Sequence, residues 1–165
     1  MTGTSSGSSS PARSTSEDAR ARKPVLLDAN ALLLPVRAHF PLRAEVERLL
    51  PGARLVVPSS VVEEVDRLVA RGVPGARAAA ALARSFLVVP AEGRGDQAIL
   101  DLAVRRRAYV VTADRALAAR LSAAGLVVLV PRDRHRLQVR SGRSTVVSRS
   151  PALPLRKGVP RRQRL

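Results

Sequence analysis

Apolar residues along the chain gather into five short runs: Pro24–Asp28 (PVLLD), Arg54–Pro58 (RLVVP), Phe86–Pro90 (FLVVP), Tyr109–Thr112 (YVVT) and Leu126–Val130 (LVVLV). The runs are continuous rather than alternating, rich in valine, and bounded by proline, glycine or polar residues. That pattern suits strands covered on both faces. Between the runs, apolar positions recur at helical spacing over about 41–50, 60–71, 76–84, 96–107 and 115–124. Strand–helix alternation of this kind predicts an α/β fold, a three-layer α/β/α arrangement on a mostly parallel central sheet of about five strands with right-handed crossovers. The folded domain is expected over residues 24–131, preceded by a serine-rich tail (1–23) and followed by a basic tail (132–165), both expected to be disordered.

An open parallel sheet binds its ligands beyond the carboxyl ends of its strands, and four carboxylates are expected there. Asp28 closes the first strand and Asp114 follows the fourth by two residues. Asp96 opens the helix after the third strand, and Glu64 lies in the first turns of the helix after the second. Each acid also has a structural explanation: aspartate is a common helix N-cap, which would account for Asp96 and Asp114, and Asp28 could serve a turn. The adjacent Glu63 and Glu64 are separated by helix geometry. Glu64 lies three residues after Val61 and four before Leu68, so it shares the apolar face that packs on the sheet. Glu63 is spaced for a capping box with Ser60 and for an exposed ion pair with Arg67. By the same test Asp96 aligns with Ile99 and Ala103 and faces inward, whereas Asp101 is spaced for a solvated pair with Arg105.

Composition narrows the chemistry. The 165 residues, 45% hydrophobic, suffice for one core. With no cysteine there is no disulfide framework, thiolate metal site or cysteine nucleophile. Clustered carboxylates repel one another and need cations, and with oxygen ligands alone Mg²⁺ or Mn²⁺ is the natural cofactor. The amino terminus lacks the apolar run of a signal peptide and no stretch is long enough to span a bilayer, so a cytoplasmic location without membrane association is expected. Of the net charge of +16, the last 34 residues contribute eleven basic and one acidic group, so a polyanion is the expected partner. Phe40, Phe86 and Tyr109 are the only aromatics. Binding should therefore rest on phosphate contacts rather than base stacking.

Four stretches, KPVLLDANALL (Lys23–Leu33), VPSSVVEEVDRL (Val57–Leu68), GDQAIL (Gly95–Leu100) and VVTADRAL (Val110–Leu117), resemble the successive motifs of PIN-domain nucleases in order and spacing. The likeness is closest to archaeal stand-alone PIN proteins and the PIN factors of rRNA processing, with VapC toxins more distant. It implies that Asp28, Glu64, Asp96 and Asp114 are the catalytic, metal-holding acids: Asp28 as the central ligand, Asp96 and Asp114 sharing coordination, and Glu64 ligating or orienting water. Asn30 and Thr112 match the polar residues that support those ligands. One departure stands out: Asp96–Gln97 occupies a place where the family often has paired aspartates, which bears on a second metal position.

The expected function is therefore that of a metal-dependent endoribonuclease hydrolysing phosphodiester bonds in single-stranded or structured RNA, including rRNA precursors. The alternatives are an RNA-binding PIN scaffold that does not cut, and a toxin ribonuclease of a toxin–antitoxin pair, the one reading that would require a small antitoxin. A homodimer is allowed for. A dinucleotide loop at Gly93, Gly95 and Ala98 is misplaced after the third strand. A P-loop lacks its Gly-Lys-Ser/Thr, and Lys23 and Lys157 are not placed for phosphotransfer. His39 and His135 are single and read as surface residues.

Overall fold

The computed structural model describes residues 23–142. Along the chain run β1 (Pro24–Leu27), α1 (Ala29–Ala38), α2 (Leu42–Leu49), β2 (Arg54–Pro58), α3 (Ser59–Ala70) and α4 (Ala76–Arg84). They are followed by β3 (Leu87–Val89), α5 (Gly95–Arg106), β4 (Tyr109–Val111), α6 (Arg115–Ala123), β5 (Val127–Pro131) and β6 (Leu137–Ser141). The strands form one sheet in the order β3-β2-β1-β4-β5-β6. Every pair is parallel except β5 with β6. Consecutive residues Val25, Leu26 and Leu27 are all fully buried, which requires helices over both faces of the sheet. The same holds for Val56–Val57, Val110–Val111 and Val128–Leu129. The α/β architecture expected from the sequence is the one observed.

Three local features differ from the sequence expectations. Helix α1 was not anticipated, because Pro35 interrupts its pattern, yet the helix carries that proline internally and buries Ala29, Ala31, Leu32 and Leu33. Strand β3 was expected to be covered on both faces, but it is a sheet edge and leaves Leu87 and Val88 exposed. Strand β6 lies in the stretch assigned to a basic tail. Its sequence LQVRS is an edge pattern in which only Leu137 is buried, so it carries none of the continuous apolar signal of an interior strand. The remainder of the expected tail, like residues 1–22, lies outside the described residues.

What holds β6 is a buried carboxylate on α2. Glu45 accepts a hydrogen bond from the backbone N–H of Leu137 at 2.8 Å and from the Arg48 guanidinium at 2.7 and 3.0 Å. Arg136 adds a contact of 3.3 Å, and Arg48 also donates to the Leu137 carbonyl at 2.9 Å. The Arg48 bond first, and then the Leu137 amide, hold the Glu45 carboxyl down at about 2. A depressed carboxyl contributes stability that is full above its unfolded value of about 4.5 and is lost as pH falls toward 2.

Glu45→Ala is expected to lower the melting temperature at pH 7 by several degrees, since it leaves the Leu137 amide without its partner. The deficit should shrink between pH 4.5 and pH 2. Truncation after Pro131 should destabilise the protein at least as much. A chain ending at Pro131 that melts like the full one would remove β6 from the folding unit.

Candidate active site

The order of strands fixes where a ligand can enter. From β1 the chain moves outward to β2 and β3, then returns to the other side of β1 as β4 and continues to β5. The switch point therefore lies between β1 and β4, and the crevice beyond their carboxyl ends is the natural site in a sheet of this kind. Leu27 pairs with Val111, so the next residues, Asp28 and Thr112, emerge side by side into that crevice.

Asp28 is 3% exposed. It is the N-cap of α1, with one carboxylate oxygen accepting from the Ala31 N–H at 2.6 Å. Its other oxygen accepts from the Thr112 hydroxyl at 2.5 Å. That hydroxyl in turn accepts from the Asp114 N–H at 2.9 Å. One threonine thus ties the end of β1 to the start of α6. Burial pushes the Asp28 carboxyl up to about 7; the Thr112 and Ala31 bonds pull against this, and the charges of Glu64 and Asp114 add to it. A buried acid that two hydrogen bonds do not fully compensate is a place where a positive charge is missing.

The other acids take different positions. Asp114 caps α6, accepting from the amides of Ala116 (2.7 Å) and Leu117 (3.0 Å) through the same oxygen. Its second oxygen makes no hydrogen bond within the described residues. Glu64 is half-buried and its carboxyl is raised by burial, opposed by Arg67 and reinforced by the charge of Asp96. Glu63, by contrast, is exposed. Asp96 sits at the rim rather than facing the interior: its side chain is 45% exposed and lies 3.7 Å from Arg120. Asn30 is exposed and makes no hydrogen bond to Asp28, while Thr112 is fully buried against it. Gly93 and Gly95, both at positive φ, turn the chain into α5 and so bring Asp96 to this edge.

Some pairings expected from sequence spacing are replaced. The capping box of Ser60 and Glu63 does not form. Helix α3 starts one residue earlier, with Pro58 at the N-cap, and the buried Ser60 hydroxyl has no partner within the described residues. Arg67 lies near Glu64 and forms no ion pair with Glu63, and Arg105 approaches Glu92 at 3.8 Å while Asp101 accepts from Gln97 at 2.7 Å. Arg120, which spacing did not single out, both flanks Asp96 and donates to Gln97 at 2.7 Å.

A family model described as PIN like domain matches residues 25–134, two thirds of the chain. The chain belongs to the PIN-like domain family. Among solved structures, one titled "Structure of the PIN domain endonuclease Utp24" aligns with a TM-score of 0.62 and 19% identity, over 73% of this chain and 92% of that one. At that identity the likeness speaks for the fold. No curated protein matches the sequence. The PIN-like match takes in all four acids and Thr112 and stops before β6. Among the described residues no three acidic or histidine side chains close around a common point as the ligands of a metal would. Asp28 is buried and the other three acids are partly exposed; the charges of Glu64 and Asp114 bear on Asp28, and that of Asp96 bears on Glu64.

The separation of the two glutamates gives a direct test of the PIN-like site. Glu64→Gln is expected to lower nucleolytic turnover by about a hundred-fold, as loss of a group bearing on the reacting phosphate does. Glu63→Gln should leave turnover within about two-fold and, with no capping bond to lose, the melting temperature within about 1 °C. An inactive Glu63→Gln beside an active Glu64→Gln would place the wrong face of α3 at the site.

Proposed function

We propose that the chain is a metal-dependent endoribonuclease. What supports this is the buried Asp28 carboxylate at the switch point of the sheet, close enough to Asp114 and Glu64 to feel their charges and without a cationic partner among the described residues. The donor set suits a hard divalent cation: carboxylate oxygens only, no thiolate, and a hydroxyl behind them rather than in front. Asp28, Asp114, Asp96 and Glu64 are the residues that would hold Mg²⁺ or Mn²⁺. When bound, such a cation lowers the pKa of a coordinated water and offsets charge on the phosphate.

The protein's own groups do the rest. Thr112 donates to the Asp28 carboxylate and accepts from the Asp114 backbone amide, while the Asp114 carboxylate is held by the Ala116 and Leu117 amides. Glu64, half-buried and raised in pKa by that burial, is suited to orient the attacking water and take its proton. Asp96 at the rim lies 3.7 Å from Arg120. RNA as substrate is supported by the excess of arginine over acids and by the scarcity of aromatic side chains for stacking bases. The resemblance to rRNA-processing PIN factors favours precursor RNA, and the structural neighbour is itself titled an endonuclease.

Purified full-length protein with Mn²⁺ or Mg²⁺ is expected to cut single-stranded RNA internally, and to stop when a chelator is added. Asp28→Asn should lower turnover by about a hundred-fold or more, and Thr112→Val by about ten-fold to a hundred-fold through misplacement of the aspartates. Cleavage that persists undiminished in chelator, or in Asp28→Asn, would contradict the proposal.

A further inference from the structure

Beside the acids lies a cleft of about 500 Å³ between α6 and the β5–β6 hairpin. Asp114, Arg115, Arg132, Gln138 and Arg140 line it together with Val130 and Pro131. Strand alternation puts Gln138 and Arg140 on one face of β6. The register sets Gln138 opposite Val130, near the carboxyl edge, and Arg140 opposite Val128, about 7 Å further from it. Arg132 begins the turn after β5, where its N–H bonds the Arg136 carbonyl at 2.8 Å and closes the hairpin.

Most arginines among the described residues have no acidic partner, and what distinguishes this cleft is that three of them meet on its walls. Arg48, Arg84, Arg105, Arg120 and Arg136 each have an acidic partner. Arg115, Arg132 and Arg140 form no ion pair among the described residues. Three uncompensated guanidinium groups on the walls of one concavity concentrate positive potential there, and their planar forks match phosphate oxygens. No aromatic side chain lines the cleft, so it has nothing on which to stack a base. β6 lies beyond the residues that the PIN-like match covers, so this wall is supplied by the part of the chain that follows them.

We propose that this cleft seats the RNA backbone on one side of the cleaved bond, with Arg115, Arg132 and Arg140 contacting phosphates and Asp114 marking the end nearest the reaction. The proposal rests on the nuclease reading for its orientation, but not for its binding. It makes recognition a matter of backbone charge and places it on one flank of the scissile phosphate, without base discrimination.

The test uses full-length protein and a labelled single-stranded oligouridylate, titrated by fluorescence anisotropy in chelator over a range of salt concentrations. All three arginines are exposed, so their replacement leaves the core untouched. The combined Arg132→Gln and Arg140→Gln variant should flatten the slope of log affinity against log salt by about 1.4, at roughly 0.7 per lost phosphate contact. A charge-matched variant, Arg54→Gln with Arg71→Gln, removes exposed arginines away from the cleft, Arg54 at the opposite end of the sheet, and should leave the slope unchanged. In cleavage assays with Mn²⁺ the cleft variant should raise KM and keep kcat. Shortening the RNA on one side of the cut should erase its difference from wild type, and shortening on the other should not.

Equal flattening by both variants, no flattening by the cleft variant, or absence of RNA binding by the wild type would each overturn the proposal. So would a polyglutamate peptide whose binding depends on the cleft more strongly than that of RNA. Binding that depends on the cleft in a protein that never cleaves would instead defeat the nuclease reading and leave the cleft standing.

Discussion

The bond from the Thr112 hydroxyl to Asp28 is the interaction on which the site depends. It joins the last residues of two adjacent parallel strands, β1 and β4, at the point where the order of the sheet reverses. Because the same oxygen accepts from the Asp114 amide, it also anchors the backbone at the start of α6, whose first amides hold the Asp114 carboxylate. Burial makes this bond both necessary and insufficient. Asp28 is shut away from water among Leu27, Ala29 and Ala31, where an ionised carboxylate is costly, and two hydrogen bonds recover only part of that cost. With its carboxyl pushed up to about 7, ionised Asp28 carries a penalty on the order of 4 kcal/mol. A cation at the crevice would relieve it, and relief of that strain is the physical link between the fold and the chemistry proposed for it.

The sequence made the sheet and its acidic edge legible because both follow from local rules. Continuous valine-rich runs mark buried parallel strands, and helix periodicity placed Glu64 toward the sheet and Glu63 toward solvent without any knowledge of tertiary contacts. Where the expectation failed, a distant partner decided the outcome. β6 has a weak apolar pattern and is held by Glu45, some ninety residues earlier in the chain. α1 keeps a proline because its apolar residues are buried against the rest of the core. Asp96 aligns with the buried face of α5, yet its place in the first turn lets it lean outward to Arg120, which belongs to the next helix. Asn30 follows the motif spacing but lies on the outer face of α1, away from the bond network of Asp28.

The hairpin changes how the basic charge is distributed. Four arginines that composition alone assigned to a tail, Arg132, Arg134, Arg136 and Arg140, belong to an ordered element. Arg136 is spent on Glu45, whereas Arg132 and Arg140 face the cleft beside Asp114. The fold thus sets an acidic crevice next to a basic groove on one edge of the sheet. A cation held by the acids would offset their repulsion of a phosphate backbone seated on the arginines.

The most direct test of the central claim is the melting temperature of wild type and Asp28→Asn across pH 4 to 8, first in chelator and then with Mn²⁺. An acid whose folded pKa is raised gives stability that is complete below its unfolded value, near 3.8, and lost as pH rises through about 7. In chelator, therefore, Asp28→Asn should melt above the wild type at pH 8, and the gap should narrow steadily toward pH 4. Mn²⁺ should raise the wild type at pH 8 and leave the variant nearly unmoved. A wild type as stable as Asp28→Asn at pH 8 without metal, and indifferent to Mn²⁺, would contradict the account.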